Sequence, residues 1–529
     1  MSWLKKRLPK KRWKRVCLYL LSTLLILLAA DMALVQYWRR ITISPETTRI
    51  TAPLTLDGYP DYLAALNAEG SRGVTAENNA APLLLQLVPA KALDEKTRAQ
   101  FYDYFGISAQ SAASAPTMVP YASWLKDKVP ATVPASTSAA DDETTMLHAP
   151  WRGIDHPQWQ QWLDQQQAPL AALHQACLRD RYYMPLLRPG GPGALSPGPL
   201  IEVILPQLGP YRSLANLAMA RAMMRLGDGD TAGFQSDITD ALKLSRLVAQ
   251  GPTLIEKLVA LAIDSLAQST LQAAATSNLL DAAAVQKLQA ALAALPPLTP
   301  IQESIDHAER YMFLDFVCLI SQHGIGYIQH LQELSAGDAP SGPGFMAAAG
   351  GKLYPVNCNA TLRQANSFYD RCMEALAKPT YREQRAAFDG LEKEIQALMN
   401  RNILARITDP GSLLLGILVP SFGSIARSQE QAREMQDLAV ISLHLRQYQL
   451  QHQSFPDTLS QLGLPPESLR DRFSDQPLIY RQEAPTARSA AGYILYSVGP
   501  DGHDDGGKDR KESKTGWDIV VRTPRPTPK

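Results

Sequence analysis

Four aspartates near the carboxyl end of the chain have the type and spacing of a metal-binding loop. Asp501, Asp504, Asp505 and Asp509 fall within nine residues that also contain three glycines. Calcium binds about six to eight hard oxygen ligands, and a flexible loop rich in carboxylates and glycine can supply them. We therefore predict calcium as a cofactor of this loop. The alternative interpretation is a solvated acidic turn that binds no metal.

A second polar group lies on one predicted helix in the middle of the chain. Glu303 and His307 are four residues apart, so they share a helix face, and metal sites use such pairs. The other polar residues nearby are Asp306, Glu309, Arg310 and, about four turns later, His323. The HExxH pattern of zinc proteases is absent, and mixed charges on an amphipathic helix typically form a solvated face or salt bridges. A structural role is the favoured interpretation, and a metal or catalytic site is the alternative.

The usual sequence signatures of active sites are missing. The serine-hydrolase elbow, the P-loop, the S-x-x-K pattern and the dinucleotide-binding fingerprint do not occur in a usable context. Residues 499–502 are glycine-rich and follow a predicted strand, but no helix follows them to complete a phosphate cradle. The sequence therefore predicts no catalytic residue, no organic cofactor and no nucleotide partner.

The amino-terminal segment indicates where the protein works. Eight of the first fifteen residues are Lys or Arg, residues 16–30 carry no charge, and apolar residues continue to Val35. A bilayer core needs roughly 20 helical residues, and positive residues stay in the cytoplasm. We predict a cytoplasmic segment over 1–15, a transmembrane anchor over 16–36, and an extracytoplasmic bulk at a bacterial inner membrane. A cleaved signal peptide is the alternative, although neither Ala30 nor Ala33 ends a small-x-small cleavage pattern.

Charge limits the choice of partners. The chain of 529 residues has a net charge of +1, and removing the eight amino-terminal positive charges leaves −7 for residues 16–529. An acidic exterior argues against nucleic acid. The expected partners are the membrane, through the single anchor, and another protein of the envelope.

Four cysteines lie outside the predicted anchor: Cys177, Cys318, Cys358 and Cys372. An oxidising compartment would allow two disulfides in any of three pairings. Cys358 and Cys372 are the nearest in sequence and the favoured pair. Buried, reduced thiols are an equally good interpretation.

Residues 37–428 have the periodicity of an α-helical extracytoplasmic domain. Apolar residues recur at three- and four-residue spacing, with helices predicted over 211–226, 232–250, 254–277, 302–333 and 381–406. Residues 107–147 are rich in Ala, Ser, Thr and Pro and are predicted to be a flexible loop.

The last hundred residues predict a small α+β module over 429–529. An amphipathic helix over 429–451 precedes a Phe-Pro turn at 455–456 and a Gln-Pro-Leu segment at 476–478. Alternating apolar residues then predict short antiparallel strands over 478–481, 493–498 and 518–522. The predicted fold class is mainly α, with one amino-terminal transmembrane helix and this module.

The order of motifs in the module resembles the soluble part of the major pseudopilin of type II secretion systems, over about residues 429–521. The resemblance implies a structural calcium held by the backbone carbonyl of Val498 and the carboxylate of Asp501. Asp504, Asp505 and Asp509 would complete the site, although their spacing differs from that of the family.

Two departures from this family limit the resemblance. Arg472 stands where the family has proline, and residues 13–17 read Trp-Lys-Arg-Val-Cys in place of the prepilin cleavage motif. The chain should therefore not be processed and polymerised as a pilin. As a whole it also resembles a group of bacterial membrane-anchored helical proteins, which indicates a bacterial origin and implies no activity.

These features predict a non-catalytic scaffold or assembly protein of the bacterial envelope. One alternative is an envelope hydrolase acting on peptide or glycan, with Glu303, His307 or Glu309 in its site. This alternative requires a pocket around those residues. Another is an accessory of a type II secretion or pilus-like machine, which would dock through the carboxyl-terminal module.

Overall fold

The computed structural model describes residues 10–128, 145–187, 200–203, 205–324, 356–400, 415, 422–485, 491–513 and 516–524. Over these residues the protein is mainly helical, with one small antiparallel sheet near the carboxyl end, and this coarse prediction is confirmed. Residues 129–144 of the predicted flexible loop and residues 325–333 and 401–406 of two predicted helices lie outside the described residues.

The helices and strands are numbered along the chain. The helices are α1 (Lys10–Arg39), α2 (Tyr62–Gly70), α3 (Ala81–Gln86), α4 (Glu95–Phe105), α5 (Ala109–Ala113), α6 (Tyr121–Lys128), α7 (Pro157–Gln165), α8 (Gln167–Cys177), α9 (Leu208–Gly227), α10 (Thr231–Val248), α11 (Leu254–Ala275), α12 (Ala282–Ala293), α13 (Gln302–Ser304, Ile305–Glu309 and Arg310–His323), α14 (Cys358–Leu376), α15 (Tyr381–Met399) and α16 (Phe422–His452). The strands are β1 (Ile479–Glu483), β2 (Gly492–Ser497) and β3 (Ile519–Thr523).

Helices α9, α10 and α11 form the centre of the larger core, as their apolar periodicity predicts. Small residues such as Ala218 and Ala222 are buried on α9, so the neighbouring backbones approach closely. The α9–α10 turn ends with Asp230, whose carboxylate accepts a hydrogen bond from Gly233 N and caps α10. Thr253 and Glu256 begin α11 with reciprocal capping bonds.

Two apolar helices differ in how far they are buried. Among the described residues α11 is the one helix long and apolar enough to span a bilayer, but 67% of its 18-residue apolar window is buried inside the protein, as in a core helix. Helix α1 instead leaves apolar side chains exposed, including Leu18 at 63% and Ile26 at 68%.

The carboxyl end of α1 is hydrogen-bonded to the body. Arg39 Nε donates to the carbonyl oxygen of Ser321 at 3.0 Å, and Arg39 Nη2 donates to that of Gln322 at 2.7 Å. Asn359 Nδ2 donates to the carbonyl of Arg40 at 2.7 Å. These bonds fix the direction in which α1 leaves the body.

The carboxyl-terminal module is built on α16. The sheet order is β1-β2-β3 and both pairings are antiparallel, with Leu495 opposite Tyr480 on one side and Val521 on the other. The three predicted strands are therefore confirmed. Helix α16 begins before residue 429 and also packs along α11, so it belongs to both the body and the module.

The segment over 107–147 differs from the flexible loop predicted for it. Its described parts contain α5 and α6, and Trp124, Met146 and Leu147 are buried. Tyr121 stacks on Trp159 with ring centroids 3.7 Å apart. Burial of a few large apolar side chains lowers the free energy of the folded state. This gain in stability outweighs the preference of the surrounding small and polar residues for a loop.

The predicted disulfide between Cys358 and Cys372 is wrong. Both residues lie on α14, 14 positions apart, which is about 21 Å along a helix, whereas a disulfide needs Cα atoms within about 7 Å. All four of these cysteines are buried and free. Burial raises the pKa of the Cys358 thiol to about 11 and that of Cys372 to about 12.

Candidate functional site

A cleft of about 290 Å³ opens beside α2, α11 and α13. Its charged lining residues are Glu69, Arg181, Lys257, Glu303 and His307. The cleft therefore contains Glu303 and His307, which the sequence marked as a pair. It adds residues that lie far from them in the chain, namely Glu69 from α2 and Lys257 from α11.

Glu69 and His307 form an ion pair on the cleft wall. His307 Nδ1 and a Glu69 carboxylate oxygen are 3.0 Å apart, and the imidazole stacks on the ring of Tyr311. The hydrogen bond from His307 lowers the pKa of Glu69, and the same bond raises the pKa of His307. Both shifts favour the charged forms of the pair, an imidazolium next to a carboxylate.

A turn of π-helix divides the polar residues of α13 between two environments. Residues Ile305–Glu309 make π-helical hydrogen bonds, which insert an extra residue into the helix and rotate the residues after it about the helix axis. Glu303 and His307 line the cleft, whereas Glu309 accepts a hydrogen bond from the backbone amide of Leu254 and is not among the lining residues. Burial raises the pKa of Glu309 to about 7.

The Lys257 ammonium is an unusual group in this cleft because its side chain is only 3% exposed. Its Nζ donates a hydrogen bond to the carbonyl oxygen of Ala249. Burial lowers the pKa of Lys257 to about 8, while the charges of Glu303 and Glu256 act in the opposite direction. A cation held this far from water needs an anionic partner nearby.

Asp306 and Arg310 serve the fold of the body. Arg310 is fully buried, donates a hydrogen bond to Asp306 at 2.5 Å and forms a salt bridge with Asp370 at 2.8 Å. Its guanidinium also lies over the ring of Tyr369, 5.5 Å from the centroid. His323 ends α13 about 24 Å from His307 along the helix and is not among the residues that line the cleft.

The acidic loop brings together two of its four predicted ligands. A Cβ atom built on Gly516 would lie 2.7 Å from Asp505 Oδ2 and 3.1 Å from Asp501 Oδ2, so both carboxylates converge on that glycine. Asp504 instead accepts hydrogen bonds from the Tyr496 hydroxyl at 3.0 Å and from a loop amide. Asp509 accepts bonds from two amides of the turn that follows it.

Two aspartates that were not predicted as ligands organise this loop. Asp518 accepts hydrogen bonds from Asp505 N at 3.3 Å and from Gly507 N at 2.7 Å, and burial raises the pKa of its carboxyl. Asp471 accepts a bond from the amide of Val498 at 2.8 Å. Across the residues that the structure describes, no group of three or more His, Cys, Asp or Glu side chains is arranged to hold a metal.

Comparison of the chain with protein-family models, with curated proteins and with solved structures found no match. The function is therefore inferred from the geometry of the chain itself.

Proposed function

We propose that this protein is a membrane-anchored scaffold or assembly protein of the bacterial envelope, with its bulk on the extracytoplasmic side of the inner membrane. One observation carries the proposal: α1, the helical body and the carboxyl-terminal module are joined by direct hydrogen bonds. A scaffold has to hold its parts at fixed positions, and this chain is built to do so.

The amino-terminal part of this proposal rests on α1. Its exposed apolar side chains need an apolar environment. The hydrocarbon core of a bilayer, which roughly 20 helical residues span, would provide one. The basic residues that precede it favour a cytoplasmic amino terminus. With α1 in the bilayer, the bonds from Arg39 to the end of α13 would hold the body close to the membrane surface.

The junction between the body and the module rests on α16. Arg446 Nη2 donates to the carbonyl oxygens of Asn278 and Leu280, at 2.8 and 2.9 Å. Gln272 Nε2 donates to the carbonyl of Met435 at 2.9 Å. The module is thus held against the α11–α12 corner by a buried arginine.

Affinity purification from detergent extracts of cells tests the scaffold proposal. We expect the wild-type chain to recover a reproducible set of envelope proteins. We expect Arg446→Leu, which removes the bonds to Asn278 and Leu280 and so weakens the contact between module and body, to lose part of that set. Arg470→Leu is the control, since Arg470 is exposed on the same module. Identical recovery by all three chains, or no specific partner for the wild type, would contradict the proposal.

We also propose that the acidic loop binds calcium through Asp501 and Asp505. Their carboxylates converge at Gly516, and Asp505 Oδ2 is buried without a hydrogen-bond partner. Two carboxylates held close together repel each other, and a divalent cation would relieve that repulsion. Backbone carbonyls such as that of Val498 and water would supply the remaining oxygens.

Calcium should raise the melting temperature of the full-length protein in detergent. At a hundredfold excess over the dissociation constant, binding to the folded state alone adds about 2.7 kcal/mol, which corresponds to a rise of several degrees. We expect Asp501→Asn to abolish the rise and Glu467→Gln, an exposed acid elsewhere in the module, to retain it. An equal melting temperature with and without calcium would exclude the site.

A second candidate function is an envelope hydrolase, because the pocket that this alternative requires exists around Glu303 and His307. Glu69 brings a further carboxylate to the same cleft. A carboxylate or imidazole near the scissile bond could act as a general acid or base. Cleavage of a ligand bound in this cleft would distinguish the hydrolase from the scaffold.

A further inference from the structure

The cleft beside α2, α11 and α13 is lined by charges of both signs, and one pair of them, Glu69 and His307, forms an ion pair. Carboxylates come from Glu69 and Glu303, and cationic groups come from Lys257 and Arg181. Glu303 is close enough to raise the pKa of Lys257, but within the described part of the chain the two side chains do not form an ion pair. The space between them is part of the cleft.

The buried ammonium of Lys257 points to an anionic group on the ligand. At 3% exposure it has little contact with water, and its hydrogen bond goes to one carbonyl oxygen, that of Ala249. An ammonium has three N–H donors, so two remain for a ligand carboxylate. Charge-assisted bonds of this kind are the strongest that a buried lysine makes.

The two carboxylates of the cleft lining point to a cationic group on the ligand. Glu303 is exposed to the cleft, and Glu69 keeps its negative charge because the hydrogen bond from His307 lowers its pKa. A ligand ammonium would be attracted mainly to Glu303, because His307 already balances part of the charge of Glu69. The volume of about 290 Å³ lies at the lower limit of ligand sites, roughly 300–1,000 Å³, so the ligand must be small.

We propose that this cleft binds a short peptide as a zwitterion, with the free carboxylate toward Lys257 and Arg181 and the free ammonium toward Glu303 and Glu69. A dipeptide matches the size and carries both charges. The inference rests on the same cleft as the hydrolase candidate, but it requires binding alone and is independent of the scaffold.

Calorimetric titration of the full-length protein in detergent with three matched probes tests this inference. The probes are the dipeptide Ala-Ala, its amino-terminally acetylated form and its carboxyl-terminal amide. We expect the free dipeptide to bind and each blocked form to bind at least tenfold more weakly, because each block removes one charge that the cleft recognises. Equal binding of all three, or no binding of the free dipeptide at millimolar concentration, would overturn the proposal.

Substitutions assign the two ends of the ligand. We expect Glu303→Gln to weaken binding of the free dipeptide at least tenfold and that of the acetylated form much less, because the acetylated form has no ammonium for Glu303 and is affected only through Lys257, whose pKa Glu303 raises. Because Glu303 is exposed, this variant should keep the wild-type melting temperature, and Glu467→Gln should bind like the wild type. Equal loss for both peptides would contradict the assignment.

Free alanine in the same samples would support hydrolysis, whereas binding without cleavage would count against the hydrolase candidate alone.

Discussion

Replacing Asp471 with alanine should unfold most of the carboxyl-terminal module. The Asp471 carboxylate is buried and accepts hydrogen bonds from Phe473 N at 2.8 Å, Ser497 Oγ at 3.0 Å and Val498 N at 2.8 Å. Alanine would leave these donors buried without a partner, at a cost of about 1–3 kcal/mol for each. We expect a total loss of about 3–5 kcal/mol, which is large compared with the stability of a small module.

Hydrogen exchange measures this effect where it should occur. We expect the amides of β2 and β3 to lose their protection in Asp471→Ala, while α9 and α10 in the body keep theirs. Glu467→Ala removes an exposed carboxylate of the same module and should leave exchange unchanged. If β2 remains protected in Asp471→Ala, the carboxylate does not hold the module together.

Replacing Gly227 with alanine should have a comparable effect on the body. A Cβ atom at this position would lie 2.1 Å from the backbone carbonyl oxygen of Trp151, so the two backbone segments would have to separate. Forcing extra atoms into such a contact costs about 1–3 kcal/mol and sometimes more. Since both partners are backbone, we expect about 3 kcal/mol, and a melting temperature roughly 5–10 °C lower.

Gly209 provides the matched control, because it lies on the same helix and a Cβ atom there would have no neighbour within 4 Å. Gly209→Ala should be neutral or stabilise the protein by about 0.5 kcal/mol, since alanine restricts the unfolded chain. Similar melting temperatures for Gly227→Ala and Gly209→Ala would mean that the Trp151 segment can move away freely.

The elements that the sequence predicted well are those whose pattern is local. The α9–α10 hairpin has regular apolar spacing and the Gly-Asp-Gly-Asp turn at 227–230, and the observed helices Leu208–Gly227 and Thr231–Val248 follow it closely. The three strands were predicted from short runs of alternating residues. The burial of β3 follows that alternation, whereas all six residues of the central strand β2 are buried.

The ends of elements and the segments between them were predicted less well. The helical segment over residues 157–177 is divided into α7 and α8 at Gln166, whose buried side chain accepts a hydrogen bond from Val119 N. The segment over 107–147 was predicted as a loop because its composition is polar and small, yet its few aromatic residues are buried. In both cases contacts with distant residues outweigh local preference.

The predicted candidate site shows the same limit. Glu303 and His307 were recognisable as a pair, because helix geometry places residues i and i+4 together. Glu69 could not be assigned to them, since it lies 238 residues away and carries no motif. Lys257 gave no signal either, because the pKa of a lysine falls only when the surrounding fold removes it from water.

The sequence by itself determined the helical class, the small carboxyl-terminal sheet and the candidate polar residues, because these depend on periodicity and residue type over short stretches. Only the tertiary structure decided which of those residues meet. It joined Glu69 to His307, separated Asp501 and Asp505 from Asp504 and Asp509, and left Cys358 and Cys372 apart on one helix. Such pairings depend on how distant segments pack, and packing is decided by the burial of the whole chain at once.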